Sequence, residues 1–560
     1  MQIRNDRPQV LVVGAGPTGL TAAMELSRLG IPVRIIDRAS GRSATSRALA
    51  VQARTLELME PRGVGAEMVR LGNPAYATTL YGRGRRLGAV RLDRIPSRFN
   101  YILLLAQAET ERLLTAQLGA QGVRVERGLE LVRIRQDAAA GRGAAGGSGG
   151  AGGVEVVLRT ADGGEELARC AYLIDASGAH SAVRHELGLD FAGRQLVQSY
   201  LLGDLHLDGA IPPDELSIFM AREGFAALFP MTGRRFRVMA TDPGGHAKDE
   251  AAPTLAELQR AYDHVSPLPV RLRDLVWSSR FRISSRHLST LRAGNVFFGG
   301  DAAHIHSPAG GQGMNTGIQD MVNLCWKLAL VLQGRAAPEL LDTYQAERLP
   351  VIVKLVRATE RATQLFNSSS WIAHQALSHL TPLALAAATV QAKATATVAE
   401  VASSYRTGPL AVPSTRAGDL RSGDRVPDLE LSAGPDGGPA RLHQLLDLAG
   451  LTLLSTAAEL PASVRDAIRP WAGLVTVYPV TVAPPAAGSP GRDARIADSL
   501  RSDPALLLIR PDGHLAASAP LTRPGPLTSW LSRWCPPLAS PSPPGLIPSG
   551  LPATSTTGMP

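Results

Sequence analysis

The stretch "VLVVGAGPTGLTAAMELSRLG", near the N-terminus, constrains the fold more than any other part of the sequence. Residues 10–13 form an apolar strand, and apolar residues at helical spacing then continue to Gly30. Between them, Gly14, Gly16 and Gly19 match the dinucleotide-binding pattern G-x-G-x-x-G. In this pattern the first glycine makes a tight turn, the second admits a pyrophosphate, and the third lets the helix pack closely on the strand. The sequence therefore predicts an α/β fold with a dinucleotide site at this turn.

The residues around this glycine pattern distinguish it from a second match further along the chain. Asp37 ends the next apolar strand, "PVRIID", where an acid binds a ribose hydroxyl in dinucleotide-binding folds. Gly147, Gly149 and Gly152 also fit the pattern, but the surrounding "AAAGRGAAGGSGGAGG" has no strand before it and no helix after it. We therefore interpret the second match as a flexible loop.

The stretch "GGDAAHIHSPAGGQGMNTGIQD", residues 299–320, indicates which dinucleotide is bound. A short apolar strand, residues 296–298, ends just before Asp301, and a helical pattern follows the glycines. A carboxylate at a strand end can accept hydrogen bonds from a polyol chain. A helix N-terminus can stabilise negative charge on a large planar group. Together with the N-terminal turn, this stretch favours FAD over a nicotinamide dinucleotide.

Composition and charge exclude several classes of protein. The net charge is +9, but the basic residues are scattered rather than clustered with aromatic residues, so we expect no nucleic-acid partner. Cys170, Cys325 and Cys535 show no CxxC or zinc-ligand spacing, which is typical of the reducing cytoplasm. The sequence has no signal-peptide pattern and no apolar run of ~18 residues, so we expect a cytoplasmic protein without a membrane segment.

These motifs resemble those of the FAD-dependent aromatic hydroxylases, the group A flavoprotein monooxygenases of the p-hydroxybenzoate hydroxylase type. Within that family, the sequence is similar to the aromatic polyketide hydroxylases that modify anthracycline and angucycline antibiotics. The resemblance covers residues 8–535 and includes three motifs in the family's order. It implies a Rossmann-like FAD-binding domain, a non-covalently bound FAD, and chemistry that is carried out by the flavin rather than by a protein nucleophile.

The resemblance also implies a set of cofactor contacts. The residues expected to bind FAD, in chain order, are Gly14, Gly16, Gly19, Asp37, Arg38, Arg47, Gln107, Asp301, Pro308, Gly310, Gly311, Gly313, Met314 and Asn315. The three N-terminal glycines would bind the ADP half, and the residues from Pro308 onward would line the isoalloxazine. Asp37 would bind the adenosine ribose, Arg38 would lie near the adenine, and Asp301 would bind the ribityl chain.

Two of these residues are expected to act closest to the chemistry. Arg47, in "SRALAVQARTLELM", matches the family arginine that lies beside the flavin and is associated with nicotinamide access. Pro308 begins the segment that would line the isoalloxazine. With the glycine segment assigned to the flavin, His304 and His306 are interpreted as structural residues, and no metal site is expected.

The third family motif departs from its usual pattern. In "YLIDASGAHSAVRHELG", Ser177 stands where the family has an aspartate, whereas Gly178, Ser181 and Arg184 match. The family's aspartate is associated with both FAD and NADPH binding. A serine offers a hydrogen bond but no charge, so this departure leaves the affinity for the reductant open.

The motifs and composition predict three domains. Residues 1–78, 101–185 and 286–400 are predicted to interleave into one FAD-binding domain. Residues 79–100 and 186–285 are predicted to form an inserted, mostly antiparallel β-sheet that covers the flavin as the substrate domain.

Within the inserted sheet, a few residues are candidates for the substrate pocket. The segment "FMAREGFAALFPM" alternates enough to predict strands, and Phe229 and Pro230 are expected to face the substrate. A phenolate reacts more readily than a phenol because its ring is electron-rich. Tyr81, Arg83 and Tyr200 are the candidates for a group that favours this ionisation.

The C-terminal part of the chain has a different composition. Residues 416–535 contain the apolar runs "LTLLS", "LVTVYPV" and "ALLLIRPDGHLAA", the last with Pro-Asp-Gly as a hairpin turn signal. Their position corresponds to the family's thioredoxin-like domain. Without a CxxC motif this domain cannot carry out dithiol exchange, so we expect a structural or interface role. The proline-rich residues 536–560 are predicted to be disordered.

The family resemblance implies an FAD-dependent monooxygenase. It would use NADPH or NADH and O2 to hydroxylate a polycyclic aromatic polyketide in antibiotic biosynthesis, through a flavin C4a-hydroperoxide. Two alternatives remain open: a Baeyer–Villiger or ring-rearranging oxygenase on the same fold, and a non-oxygenating flavoprotein that acts as a binding partner. The position of oxygenation, the preferred reductant, and the choice between monomer and homodimer also remain open.

Overall fold

The protein has a mixed α/β fold, as the sequence predicts. A computed structural model describes residues 2–3, 8–42, 48–82, 85–137, 153–222, 224–243, 251–307, 310–366, 384–434, 436–457, 459–485 and 491–537. Arg47, Arg83, Pro308 and residues 538–560 of the predicted tail lie outside this part of the chain. None of the described helices combines the length and the apolar character that crossing a membrane requires.

A six-stranded sheet holds the N-terminal turn. With strands numbered along the chain, its spatial order is β19 (Arg292–Ala293), β20 (Val296–Phe298), β13 (Tyr172–Asp175), β2 (Val10–Val13), β3 (Val33–Asp37) and β9 (Val125–Arg127). All neighbouring strands are parallel except the edge pair β19–β20. The chain segments that follow β2, β3, β13 and β20 therefore leave the sheet at one edge.

Helices pack around this sheet. The helices of this part of the chain are α1 (Pro17–Arg28), α2 (Ala53–Met59), α3 (Gly65–Leu71), α4 (Gln107–Ala120), α5 (Ala182–Glu186), α7 (Gly313–Leu332), α8 (Asp342–Phe366) and α9 (Ala388–Val398). Helix α1 contacts α4, α7 and the strands β2 and β3. Helix α7 is buried along most of its length, and its polar residues, among them Asn315, Asp320 and Lys327, are buried with it.

An eight-stranded sheet is the second large element. Its spatial order is β21 (His304–Ile305), β18 (Arg271–Leu288), β14 (Phe191–Asp208), β17 (Arg235–Thr241), β16 (Gly224–Pro230), β15 (Glu215–Ala221), β6 (Ala77–Gly82) and β7 (Arg85–Arg91). Only the pair β6–β15 is parallel. Helix α6 (Leu255–Asp263) packs on one face of this sheet. The edge strand β21 begins three residues after Asp301, so the same segment serves both large sheets.

Two small sheets complete the N-terminal part. One contains β1 (Gln2–Ile3), β12 (Glu165–Cys170), β11 (Val154–Thr160) and β10 (Leu129–Gln136), and the other contains β4 (Ala50–Val51), β8 (Ile102–Leu104) and β5 (Asn73–Ala75).

The C-terminal part has its own sheets and helices. Its elements are β22 (Arg416–Ala417), β23 (Leu420–Arg421), β24 (Glu430–Ala433), β25 (Ala440–Arg441), β26 (Leu451–Ser455), α10 (Ala462–Ile468), β27 (Val475–Pro479), β28 (Thr481–Val482), α11 (Arg492–Ser502), β29 (Ala505–Ile509), β30 (Leu515–Pro520) and α12 (Gly525–Trp534). The main sheet has the order β27-β26-β29-β30. The antiparallel pair β29–β30 is joined at the predicted Pro-Asp-Gly turn, where Gly513 has a φ of +73°.

Buried ion pairs join the C-terminal part to the rest of the protein. The Arg425 Nε donates to Glu57 of α2 at 2.8 Å, and Arg425 also donates to the second oxygen of that carboxylate. The Arg510 guanidinium binds Glu347 of α8 in the same two-pronged way, at 2.6 and 2.9 Å. All four side chains are almost completely buried, so these pairs fix how the C-terminal part docks.

Breaking the Arg425–Glu57 pair should destabilise the protein strongly. Arg425→Met leaves the Glu57 carboxylate buried beside a single remaining cation, so we expect the free energy of unfolding to fall by about 3 kcal/mol. Arg469→Met is the matched control because Arg469 pairs with Asp466 at the surface, and it should change stability little. Urea denaturation of both variants measures the difference, and equal stabilities would contradict the docking role of Arg425.

Candidate functional site

In the turn between β2 and α1, an added side chain would clash with the protein at Gly14 and Gly19 but not at Gly16. Gly14 has a φ of +101°, and a Cβ there would lie 2.3 Å from the Ala176 carbonyl oxygen. A Cβ on Gly19 would lie 1.9 Å from the Gly14 oxygen. At Gly16, by contrast, no described atom lies within 4 Å of the Cβ position. The turn is thus packed on its protein side and leaves space for a pyrophosphate at Gly16.

Asp37 holds its place next to this turn. Its carboxylate accepts hydrogen bonds from the backbone N–H groups of Ala15, at 2.7 Å, and Ala39, at 2.8 Å. The bond to Ala15 ties the end of β3 to the glycine turn, which places a carboxylate where a ribose would follow the pyrophosphate. Arg38, the next residue, is exposed.

Asp301 lies where two helix N-termini approach each other. A Cβ on Gly300 or on Gly317 would lie 2.4 or 2.3 Å from the Thr18 Oγ1, so the first turn of α1 packs directly against Gly300 and against α7. The Asp301 side chain is exposed beside this contact. The positive ends of both helix dipoles and this carboxylate therefore border one region, which suits the phosphates and the ribityl chain of FAD.

A buried carboxylate, Asp320, supports the Asp301 turn from behind. It accepts hydrogen bonds from the Gly300 N–H at 3.1 Å, from His304 Nε2 at 2.7 Å and from Arg348 Nε at 2.8 Å. Burial alone would raise the pKa of Asp320, but Arg348 and His304 outweigh it and hold the pKa below its usual range. His304 is thus bonded within the protein.

His306 is half-buried next to His304. Its Nδ1 lies 2.9 Å from the Ser307 carbonyl oxygen, and its ring stacks near that of His304 with 6.4 Å between centroids. Burial and the nearby His304 lower the pKa of His306 to about 4, so the ring is neutral at physiological pH. The described residues contain no group of three or more His, Cys, Asp or Glu that could hold a metal ion.

The glycine segment before α7 is held by two side-chain amides. Asn315 Nδ2 donates to the carbonyls of Ala50 and Gly311, both at 2.9 Å. The Gln52 N–H donates to Asn315 Oδ1 at 2.9 Å, and Gln52 Nε2 donates to the Gly310 carbonyl at 2.8 Å. Sequence reasoning missed Gln52. Gln52 could have been found as the single polar residue in the apolar run "LAVQA", because a buried amide needs hydrogen-bond partners.

The other residues expected to contact the flavin lie around this segment. Gly313 begins α7, and Met314 packs partly buried against the main core. Gln107 begins α4, accepts a hydrogen bond from the Ala48 N–H at 3.4 Å and donates to Glu111 at 2.8 Å. Gln107 therefore fixes the backbone that directly follows Arg47.

Ser177, which stands where the family has an aspartate, is hydrogen-bonded to the carboxylate of Asp175, two residues earlier. Ser177 donates to Asp175 from its N–H at 3.1 Å and from its hydroxyl at 2.6 Å. The Ser181 hydroxyl donates to the second Asp175 oxygen. Burial raises the pKa of Asp175 although these hydrogen bonds oppose the shift. The Ser177 hydroxyl proton is thus committed to Asp175.

Two arginines lie next to this segment without a carboxylate partner among the described residues. Arg184 donates to the Ala302 carbonyl at 2.9 Å and covers the Phe191 ring at 3.9 Å. Partial burial lowers the pKa of Arg184, Asp175 opposes this shift, and the nearby charge of Arg286 adds to it. Arg286 itself has a buried Nε that finds no hydrogen-bond partner among the described residues. Sequence reasoning did not identify Arg286, which lies about 100 residues away along the chain.

One face of the eight-stranded sheet is lined by aromatic and apolar side chains. This face, called the aromatic face below, consists of Tyr200, Leu202, Phe225, Phe229, Met239, Trp277, Phe281 and Ile283. Tyr200 is completely buried, whereas Phe229 packs against both this cluster and the main core. Pro230 ends β16, is buried, and accepts a hydrogen bond from Asn73 through its carbonyl.

The structure corrects the placement of Tyr81. We expected Tyr81 in the substrate pocket, but its ring stacks on Phe219 at 4.8 Å and packs in the cluster that contains α6. Tyr81 and Phe219 are directly paired in the parallel register of β6 and β15. Successive strand residues point to opposite faces, so this register places Tyr81 on the α6 side, away from Tyr200.

The glycine turn, the Asp301 region and the amide-held segment before α7 define an FAD-binding α/β protein. A family model described as the FAD binding domain matches residues 7–359, and the model of the aromatic-ring hydroxylase C-terminal domain matches residues 420–537. The chain therefore belongs to the FAD-dependent aromatic-ring hydroxylases, and the family resemblance inferred from the sequence is confirmed.

Similar proteins include a monooxygenase and two hydroxylases of known structure. 6-Methylpretetramide 4-monooxygenase from Streptomyces rimosus is 37% identical over 532 residues, which are 91% of this chain and 91% of that protein. The structure of OxyS, the anhydrotetracycline hydroxylase from Streptomyces rimosus, has a TM-score of 0.75, 29% identity and coverage of 95% of this chain and 100% of that chain. Aklavinone-11 hydroxylase, solved with FAD and aklavinone, has a TM-score of 0.70, 25% identity and coverage of 95% and 99%.

Gly16 provides a test of the cofactor site that separates binding from folding. Gly16→Ala adds a methyl group in open space, so the protein should fold while FAD affinity falls more than about tenfold because the pyrophosphate can no longer approach. Gly119→Ala, also in open space but inside α4, is the control and should keep full FAD affinity. FAD titration of the apoproteins, with circular dichroism for folding, measures both. Unchanged affinity in Gly16→Ala would remove the pyrophosphate from this turn.

Proposed function

We propose that this protein is an FAD-dependent monooxygenase that uses NADPH or NADH and O2 to hydroxylate a polycyclic aromatic polyketide. The observation that carries this proposal is the aromatic face of the eight-stranded sheet. The edge strand β21 of that sheet continues directly from the Asp301 turn, so the sheet and the cofactor site share one segment. Phe229 also packs against both the aromatic face and the main core.

The breadth of the aromatic face supports a polycyclic ligand. Its side chains come from four neighbouring strands, β18, β14, β17 and β16. Strands in a sheet lie about 4.8 Å apart, so side chains from four strands span about 14 Å, which matches three to four fused rings better than one. Aromatic side chains pack favourably on flat rings through offset-stacked and edge-to-face contacts.

The protein's residues would bind, orient and shield the reactants. Bound FAD would supply the chemistry, since a reduced flavin activates O2 for transfer of one oxygen atom. Asp301 and the helix N-termini would hold the ribityl chain and phosphates, while Asn315 and Gln52 would fix the segment beside the isoalloxazine. The sheet and this segment would exclude water, which keeps the oxidant from being lost before it reaches the ring.

We propose that the reductant binds through Arg184 and Arg286, together with Arg47. The first two are cations without carboxylate partners in the described part of the chain. Arg184 donates to the Ala302 carbonyl, next to Asp301, and Arg286 is close enough to Arg184 to lower its pKa. An anionic pyrophosphate or phosphate would satisfy both. On this proposal, a serine at position 177 can replace the family's aspartate, because its hydrogen bond to Asp175 holds the backbone of this segment in place.

Arg184→Met should separate reductant binding from FAD binding. We expect the KM for NADPH or NADH to rise about tenfold or more, since one charge-assisted contact to a phosphate is lost. Arg292→Met is the control, because Arg292 is bound to Asp342 at the surface. Stopped-flow reduction of the FAD-loaded variants measures the effect. Unchanged reduction in Arg184→Met would move the reductant site elsewhere.

Two other reactions fit the same fold. A Baeyer–Villiger or ring-rearranging oxygenase would use the same cofactor and pocket but would insert oxygen beside a carbonyl. A non-oxygenating binding partner would keep FAD without consuming reductant in response to substrate.

Labelled dioxygen distinguishes these functions. With 18O2, a reductant and a panel of tri- and tetracyclic polyketide aromatics, we expect one labelled oxygen on an intact ring and substrate-stimulated oxidation of NADPH or NADH. A lactone or an opened ring would support the Baeyer–Villiger alternative. If no compound in the panel stimulates reductant oxidation by the FAD-loaded protein, the binding-partner alternative replaces the enzyme.

A further inference from the structure

A buried ion pair lies within the aromatic face. Arg237 of β17 binds Asp204 of β14 through two parallel hydrogen bonds, from Nε at 2.6 Å and from Nη2 at 2.8 Å. The two residues are directly paired in the antiparallel register of these strands. This planar, two-pronged geometry is the strongest arrangement for an arginine and a carboxylate.

The strand register places this pair on the same side as the aromatic residues. Asp204 lies two residues after Leu202, and Arg237 lies two residues before Met239, both of which belong to the aromatic face. Trp277 is paired with Asp204 on the other side of β14, and its ring centroid is 5.6 Å from the Arg237 guanidinium. Since residues two apart share a face, Asp204 and Arg237 point toward the side opposite α6.

Arg237 also reaches the cofactor domain. Its Nη1 lies 3.4 Å from the Ala48 carbonyl oxygen, and the Ala48 N–H is in turn bound by Gln107. The pair is therefore located where the aromatic face meets the backbone next to Arg47, rather than at the outer edge of the sheet.

The two partners differ in how accessible they are. The Arg237 side chain is only 3% exposed to solvent, whereas the Asp204 side chain is 13% exposed. A buried ion pair seldom stabilises a fold more than apolar residues of the same volume would, so stability gives little reason to keep one here. The accessible carboxylate, with lone pairs beyond those used by Arg237, is the group that a ligand on this face would meet.

We propose that Asp204 accepts a hydrogen bond from a hydroxyl group of the aromatic substrate and that Arg237 positions the Asp204 carboxylate. This role rests on the proposed function and adds a selection rule to it. The flat rings pack on the aromatic face, and a hydroxyl at the matching position pairs with Asp204. Substrates without that hydroxyl desolvate the carboxylate without donating a hydrogen bond to its remaining lone pairs, so they bind more weakly.

Two tricyclic probes that differ in one hydroxyl test this role. We would titrate FAD-loaded wild type and Asp204→Asn with 2-hydroxyanthraquinone and with 2-methoxyanthraquinone, and follow the flavin absorbance. For wild type we expect the hydroxy compound to bind about tenfold more tightly than its methyl ether, as for a hydrogen bond to a charged acceptor. Asp204→Asn should reduce this ratio to within about twofold while affinity for the methyl ether changes little.

Two further variants control for folding and for general charge effects. Asp208→Asn, on the same strand but in an exposed pair with Arg273, should keep the wild-type ratio. If Asp204→Asn does not fold, the double variant Asp204→Asn with Arg237→Gln removes both charges together, and we expect it to show no preference for the hydroxy compound.

The outcomes separate this role from the proposed function. Equal binding of the two probes by wild type, or an unchanged ratio in the folded Asp204 variant or the double variant, would overturn the role of Asp204 alone. If neither probe binds FAD-loaded wild type, the polycyclic substrate class of the proposed function fails, and the role of Asp204 fails with it.

Discussion

The cofactor site depends on the buried carboxylate of Asp320. This one group binds the backbone at Gly300, the ring of His304 and the guanidinium of Arg348. A buried charge is costly unless its partners are in place, so losing any of these three contacts would destabilise this region. Because Gly300 precedes Asp301 and Asp320 lies on α7, the carboxylate fixes the Asp301 turn relative to the helix that follows the glycine segment.

The same interaction extends to the C-terminal part of the chain. Arg348 donates to the Tyr405 hydroxyl at 3.0 Å, and the Tyr405 ring lies 4.4 Å from that of His514, next to the Pro-Asp-Gly turn. Glu347, the neighbour of Arg348 on α8, binds Arg510. Meanwhile burial raises the pKa of the Cys535 thiol to about 12, which leaves it protonated. The C-terminal part is thus connected to the cofactor site by packing and buried charge rather than by thiol chemistry.

The parts of the site that could be predicted from the sequence are those encoded within a few residues. Gly14, Gly16 and Gly19 act through local backbone geometry, so their spacing was sufficient to predict the turn. Gln52 and Arg286 were missed because their roles depend on partners far away in the chain: Gln52 meets Gly310, and Arg286 lies near Arg184. Such contacts follow from the sheet topology, which a single sequence specifies only indirectly.

The eight-stranded sheet shows this limit most clearly. Alternation predicted strands around Phe229, but it could not say which face would be covered by α6, since both faces carry apolar residues. A shift of one residue in register would exchange the faces. The observed register puts Tyr81 beneath α6 and brings Tyr200 and the Asp204–Arg237 pair to the aromatic face. An ion pair at this position therefore also disfavours a one-residue shift of either strand, because the shift would move that strand's charge into the apolar cluster under α6 and break the pair.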